Sequence, residues 1–252
     1  LVEFQRLYQQ TKTYQDGVHF GSRLAFRNDG TLFVSLGDRG RDDPAAPTRN
    51  HAQSLSNTFG KIVRINRDGT IPADNPFQGQ GGALPEIWSL GHRNPQGLHF
   101  DTTTSTLWSA EHGPQGGDEI NRVLPGANYA WPLRSYGCPY GSPQGTACRV
   151  GGGTHAPLNG ITFNEPLTFW APTSMAPTNV FVYRSTVVPE WNGQLFLGSL
   201  QGGQLWRITL NNGAYGSCQG LPVNQRMRDV RQGPDGWIWV LTDSGQIRRV
   251  RP

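Results

Sequence analysis

One short unit recurs four times along this chain and constrains the fold more than any other feature. A Gly-containing or polar turn leads into an apolar strand carrying an aromatic residue at Asp29-Gly30-Thr31-Leu32-Phe33-Val34, Ser105-Thr106-Leu107-Trp108, Asn192-Gly193-Gln194-Leu195-Phe196-Leu197 and Asp235-Gly236-Trp237-Ile238-Trp239-Val240. Each is followed by a second stretch of alternating character, at Lys61-Ile62-Val63-Arg64-Ile65, Glu119-Ile120-Asn121-Arg122-Val123, Gln204-Leu205-Trp206-Arg207-Ile208 and Gln246-Ile247-Arg248-Arg249-Val250. A period of two is that of strands, and helical periodicity is nearly absent. One small sheet cannot bury its faces without neighbours, so repeated strand sets must stack. The pattern predicts an all-β fold made of β-propeller blades.

Composition is consistent with this. The chain has 252 residues, with 33 Gly, 19 Pro and 8 Trp and only 16% charged residues, a turn-rich and aromatic-rich texture. That length buries a sizeable core as one all-β domain or two smaller ones. The net charge of +4 is carried almost wholly by scattered Arg, Lys appearing only as Lys12 and Lys61. Without a basic run, no nucleic-acid partner is expected. No window approaches the ~18 apolar residues of a membrane helix, so no membrane span is expected either. The opening Leu1-Val2-Glu3-Phe4-Gln5 alternates like a strand and lacks an initiator Met or signal peptide. Upstream residues are therefore expected to have been removed, and nothing follows about export. Cys138 and Cys148 flank a Gly/Pro-rich loop and are candidates for a small disulfide, three unpaired thiols being the alternative, while Cys218 has no evident partner.

The chemistry-bearing residues concentrate in Gly91-His92-Arg93-Asn94-Pro95-Gln96-Gly97-Leu98 and Glu111-His112-Gly113-Pro114-Gln115-Gly116-Gly117-Asp118-Glu119-Ile120-Asn121. Both sit between strand-like runs, where a scaffold presents loop residues. An Arg, an Asn and a Gln around a Pro make a rigid turn whose donors suit a planar, oxygen-rich ligand. With Gly17-Val18-His19-Phe20-Gly21-Ser22-Arg23 and Gly37-Asp38-Arg39-Gly40, these motifs resemble the soluble pyrroloquinoline quinone (PQQ)-dependent aldose sugar dehydrogenases of the glucose/sorbosone dehydrogenase family, from about His19 to Val250. The resemblance implies a six-bladed propeller. Residues 1–252 read as a single domain holding about four of those blades, the N-terminal ones either missing from the sequence or supplied by another polypeptide, of which the first is favoured. Two long insertions, about Arg41 to Phe59 and Leu133 to Pro166, have the length of functional or disordered loops.

The resemblance also assigns the site. His19 matches the catalytic base and Asp38 the acid that orients it, a pairing that fixes the imidazole tautomer and stabilises the imidazolium. The bland readings are a satisfied loop histidine and a turn Asp bonding its own backbone. Arg93 and Asn94 match the pair on the quinone oxygens, and Gln96 a further cofactor contact. Arg226 and Arg228 match two cofactor-binding arginines, and their i, i+2 spacing puts both on one face of a strand. Gly113 and Pro114 match positions whose carbonyls hold the Ca²⁺ that binds PQQ, oxygen ligands that suit a hard cation. Glu119 with Tyr129 resembles a second, structural Ca²⁺ site, the alternative for Asp118 and Glu119 being a solvated loop. His112 is read as structural, since nothing at metal spacing accompanies it.

Two departures stand out. Gln201 occupies the place of a Lys that neutralises a cofactor carboxylate, a loss worth on the order of 1 to 3 kcal/mol in cofactor binding. Val18 precedes the His where glucose-oxidising members have an acid, which leans toward the broader aldose-oxidising branch. Trp170 and the Pro172 region are candidates for an aromatic wall, or else pack on their own blade.

The expectation is an exported, periplasmic or secreted PQQ- and Ca²⁺-dependent dehydrogenase that oxidises an aldose at C1 to the lactone and passes electrons to an external acceptor such as a quinone, dye or cytochrome. The rival is a non-catalytic extracellular propeller that binds protein, which has no need to keep six such residues together. A Ca²⁺-dependent lactone hydrolase ranks third, because the Gly113-Pro114 loop offers no carboxylate cage.

Overall fold

In the computed structural model, which describes residues 3–15, 17–46 and 50–251, four antiparallel sheets follow one another along the chain. The first holds β1 (Gly21–Phe26), β2 (Leu32–Leu36), β3 (Lys61–Ile65) and β4 (Ile87–Leu90). The second holds β5 (Pro95–Asp101), β6 (Thr106–Glu111), β7 (Asp118–Val123) and β8 (Thr168–Trp170). The third is β9 (Pro177–Val182), β10 (Leu195–Ser199), β11 (Gln204–Asn211) and β12 (Ala214–Pro222), and the last is the three strands β13 (Met227–Gln232), β14 (Ile238–Thr242) and β15 (Ile247–Val250). Every sheet meanders in sequence order. The four sequence units are the second and third strands of each blade, β2–β3, β6–β7, β10–β11 and β14–β15.

The recurrent Gly has a backbone reason. Gly30, Gly193 and Gly236, in the turns before the second strands, take φ of +82°, +82° and +79°, a region costly for residues with a Cβ. At the first of them Arg27 and Thr31 close the hairpin, and Asp29 accepts the Thr31 N–H at 2.9 Å.

Three apolar clusters fill the three junctions between four blades. Phe33 and Ile62 meet Leu98, Phe100 and Leu107 between the first and second. Trp108 and Ile120 meet Val180, Val182, Leu195 and Leu197 between the second and third. Phe181, Phe196 and Leu205 meet Met227, Val230, Ile238 and Val240 between the third and fourth. At the two ends of this arc the apolar side chains turn outward, with Leu24 and Phe26 on β1 and Leu241 and Ile247 on the last blade all exposed. The opening segment departs from expectation: residues 3–10 form no strand. Alternation alone does not make one without a neighbouring edge to pair with. Among the described residues no helix is long and apolar enough to cross a membrane.

The inner strands β1, β5, β9 and β13 lie side by side around the axis. All four start at the same end. Antiparallel neighbours then bring the β2–β3, β6–β7, β10–β11 and β14–β15 connections to that end as well, so every candidate site residue sits there or in the loops feeding it. The segment leading into the second insertion also reaches it: Asn128 bridges Leu90 in parallel, and Trp131 N–H donates to the Gly91 carbonyl at 2.9 Å.

Candidate active site

His19 stands just before β1 with φ of +51°, and its Nδ1 is 2.6 Å from Asp38 Oδ1. Asp38 has no solvent exposure. The same Oδ1 accepts the Gly40 N–H at 2.8 Å, and Oδ2 accepts Trp131 Nε1–H at 2.7 Å. A carboxylate oxygen can only accept there, so the contact is satisfied when Nδ1 carries the proton. Nε2 is thereby left as the acceptor. His19 lines a cleft of about 480 Å³ together with Arg41 to Ala45, Arg93, Pro114, Trp131, Pro139 and Tyr140.

Arg93 enters from the β4–β5 connection. Its Nη1 donates to the carbonyls of His112 at 3.2 Å and Gly113 at 2.6 Å, its Nη2 to the Tyr140 hydroxyl at 3.3 Å, and its Nε is buried with no partner. The guanidinium lies 5.2 Å from the Trp131 ring centroid. Its own backbone N–H is taken by Glu111, whose second oxygen is 2.8 Å from His92 Nδ1. His92 is fully buried, bonded on its other side to Ser89 at 2.9 Å and stacked on Tyr129. The Arg93 turn is therefore set by a buried His92–Glu111 pair. Asn94 is buried and accepts the Gly21 N–H at 3.2 Å, tying β5 to the start of β1. The Gln96 carbonyl accepts Arg23 Nε–H at 3.0 Å.

Arg226 and Arg228 are exposed and converge on Asp243. Arg226 Nε donates to Oδ2 at 2.6 Å, Arg228 Nε donates to Oδ1, and Arg226 Nη1 reaches the Leu200 carbonyl at 3.0 Å. The two hydrogen bonds from Arg226 and Arg228 hold the Asp243 carboxyl below its usual range. The pair stands apart from the residues lining the His19 cleft, at the mouth of the fourth blade and next to the exposed Gln201.

The fit to a cation differs between the two predicted places. Pro114 lines the cleft, while the Gly113 carbonyl is taken by the Arg93 guanidinium at 2.6 Å and would have to exchange that partner to hold a cation. Glu119 is not in a solvated loop. It is buried on β7, and burial pushes its pKa up. Asn121 Nδ2 donates to it at 3.2 Å and His155 Nε2 lies 3.5 Å away. Glu119 and Tyr129 border a pocket of about 10 Å³, room for a single water or ion. A buried carboxylate with so few donors beside an ion-sized space fits a cation. The neighbouring Asp118 is fully used inside the protein, accepting from the N–H groups of Gly113, Met175 and Ala176 and the Ser174 hydroxyl. Among the described residues no three His, Cys, Asp or Glu cluster as metal ligands. The Gly113–Pro114 site relies on carbonyl oxygens, the second on the single Glu119 carboxylate.

His112 is structural, its Nε2 lying 2.6 Å from the Pro177 carbonyl and its pKa lowered mainly by burial. Trp170 packs edge-on against Trp206 in the core rather than walling a ligand site. The aromatic walls are Trp131 and Tyr140, which the sequence reading missed. Trp131 lies just before the second insertion and Tyr140 within it, and no local pattern announces where such a loop folds back. Cys138 and Cys148 form a disulfide within that insertion, with Cα atoms 5.1 Å apart, and Cys218 is free.

Four blades of a propeller arc thus carry an Asp-paired His on an aromatic-walled cleft with an Arg at its edge. The Glucose / Sorbosone dehydrogenase family model matches residues 1–249, and the chain belongs to that family. It is 41% identical to an uncharacterized protein of Synechocystis sp., over 99% of this chain and 60% of that protein. It is 37% identical to the aldose sugar dehydrogenase YliI of Escherichia coli, over 100% of this chain and 65% of the relative. The chain thus spans about 60 to 65% of the length of these relatives. The crystal structure of the soluble aldose sugar dehydrogenase from Escherichia coli in the apo-form superposes with a TM-score of 0.84 at 35% identity, covering 99% of this chain and 68% of that one. The PQQ-bound form of the aldose sugar dehydrogenase from Streptomyces coelicolor gives 0.66 at 28%, covering 92% and 61%.

Proposed function

We propose that the His19 cleft oxidises the anomeric carbon of an aldose to the lactone with PQQ as hydride acceptor and Ca²⁺ as its Lewis acid. The observation that carries this reading is the His19–Asp38–Trp131 chain of hydrogen bonds, which engages Nδ1 and leaves Nε2 of the ring unengaged at the cleft wall. Abstraction of a hydroxyl proton needs a base within hydrogen-bond reach of the substrate. Nε2 of His19 takes that proton, Asp38 holds Nδ1–H, and the imidazolium is stabilised by the buried carboxylate.

The remaining residues bind and orient. Arg93, with a buried unpartnered Nε and its charge between Trp131 and Tyr140, suits the oxygen edge of a planar quinone, with Asn94 and Gln96 beside it. The exposed Arg226 and Arg228 suit a cofactor carboxylate at the outer edge. Gly113 and Pro114 would hold Ca²⁺ against the cofactor, and Glu119 with Tyr129 a second one. PQQ bound here supplies a two-electron acceptor, and an external acceptor must reoxidise it. The Cys138–Cys148 disulfide supports an exported, periplasmic or secreted location, since such bonds persist in oxidising compartments.

The test adds PQQ and Ca²⁺ to the metal-free protein and follows dye reduction with a panel of aldoses. Sugar-dependent reduction that vanishes in His19→Ala supports the reading. A Ca²⁺-dependent rise in Tm that is lost in Glu119→Gln, with cofactor binding retained, assigns the second cation.

A further inference from the structure

Lys61 begins β3 and has no solvent exposure, an unusual place for an ammonium. Its Nζ donates to the carbonyls of His51 at 3.0 Å, Ala52 at 2.8 Å and Phe59 at 2.7 Å. All three acceptors belong to the first insertion, so a strand of the first blade is plugged into the loop that leads to the cleft. The same turn is gripped from its other side. Asp42, itself buried, accepts the backbone N–H groups of His51 at 2.7 Å and Ala52 at 2.6 Å, and lies 2.9 Å from His51 Nδ1.

What this turn holds is the active-site wall. Asp42 lines the His19 cleft with the residues that follow it, Asp43 to Ala45. Gln53, on the same 3₁₀ turn, donates from Nε2 to the Trp131 carbonyl at 2.7 Å and to Asn128 Oδ1 at 3.0 Å. Trp131 in turn holds Asp38. The Ala52 carbonyl also accepts the Gly91 N–H at 3.0 Å, two residues before Arg93. One buried lysine is thus linked by short contacts to both the base and the cation of the cleft.

We propose that Lys61 is a positioning residue for the His19 cleft: by capping the carbonyls of His51, Ala52 and Phe59 opposite Asp42, it presets the cleft wall and the Trp131–Asp38 contact before any ligand enters. An ammonium is an expensive way to fill space. Burial pushes its pKa down to about 7 against the opposing charge of Asp42, and a Met of similar length packs without that penalty. Three acceptors converging on one nitrogen give the loop a single geometry instead.

The experiment compares Lys61→Met, Lys61→Arg and Asp42→Asn with the unaltered protein by amide hydrogen exchange, with steady-state sugar oxidation as a second reading that rests on the proposed function. Lys61→Met is expected to speed exchange at least tenfold at residues 41–46 and 50–53 while β2 and β3 stay protected, and to raise KM for the sugar more than it lowers kcat. Lys61→Arg recovers part of that protection. Should Lys61→Met fail to fold, Asp42→Asn, which releases the same turn from the other side, must show the same local loosening. Unchanged exchange at 41–46 and 50–53 overturns the proposal, and so does faster exchange spread evenly over all four blades, which is the mark of a general stabiliser. If no protein oxidises sugar, the functional reading fails while the exchange result still decides the role of Lys61.

Discussion

The imidazole Nδ1 of His19 lies 2.6 Å from Oδ1 of Asp38, a carboxylate with no exposure to solvent. That contact decides which ring nitrogen is free to act. Asp38→Asn can present an amide N–H to Nδ1 and so select the opposite tautomer, with Nε2 protonated and useless as a base. The expected outcome is a fall in kcat of roughly 10²- to 10⁴-fold with an unchanged circular dichroism spectrum. A fall of less than tenfold would mean that Asp38 merely closes its turn.

Trp131 donates to the other oxygen of Asp38 at 2.7 Å, in a fully buried setting. Trp131→Phe keeps an aromatic ring but strands that oxygen without its donor. Urea unfolding should show a loss of about 1 to 3 kcal/mol. No loss would indicate that water replaces the indole.

Gln201 follows Leu200, whose carbonyl holds Arg226, so a cation at position 201 would join the exposed arginine pair. Gln201→Lys should tighten PQQ binding and Arg228→Ala should weaken it, each by roughly 10- to 100-fold, the size of one charge-assisted contact. Titrating PQQ against intrinsic fluorescence at two salt concentrations checks both, and both effects should shrink at the higher salt.

His155 is buried with Nε2 3.5 Å from Glu119 and Nδ1 2.6 Å from the Asn164 carbonyl. Burial alone would lower its pKa, but Glu119 and the Asn164 carbonyl lift it to about 9. A folded pKa above the unfolded value near 6.5 means that the contribution is fully present below about pH 6.5 and is lost as pH rises through 9. It amounts to roughly 3 kcal/mol. In chelated buffer, stability should fall across that window, and His155→Gln should flatten the slope. An equal slope in the variant would contradict the pairing.

The Cys138–Cys148 bridge closes a loop spanning 10 positions. Loop-closure entropy gives it about 2 to 3 kcal/mol, so the double Ser variant should unfold at lower urea by that amount, and Tyr140, which lies within the loop, should lose its place at the cleft. A variant with unchanged stability would show that the loop is ordered by its other contacts.

What the residues announced and what they hid follows a physical division. Strands 2 and 3 of each blade were legible because a turn with positive φ, at Gly in three blades and at Ser105 in the second, and a buried apolar strand leave a local signature. The opening alternation misled at Glu3 to Gln5 for the same reason, since a strand also needs a partner edge, and Leu1 and Val2 lie outside the described residues. The motif loops of His19, Asp38, Arg93 and Asn94 do meet, and their order along the chain mirrors the order of blades. The solvated-loop alternative for Asp118 and Glu119 fails, because neighbouring amides engage Asp118 and a histidine 36 residues away bears on Glu119. Trp131, Tyr140, Asp42 and Lys61 were invisible as site residues, because each acts through contacts that exist only once an insertion has folded back over the blades.

The measurement closest to the central claim is the absorbance of PQQ bound to the Ca²⁺-loaded protein, read before and after an aldose is added anaerobically. The account predicts stoichiometric binding and complete sugar-dependent reduction of the cofactor, with His19→Ala binding equally well but leaving it oxidised. Folded protein that binds no PQQ, or a His19→Ala variant that reduces it as fast as the unaltered protein, would contradict the account and favour a propeller whose cleft only binds.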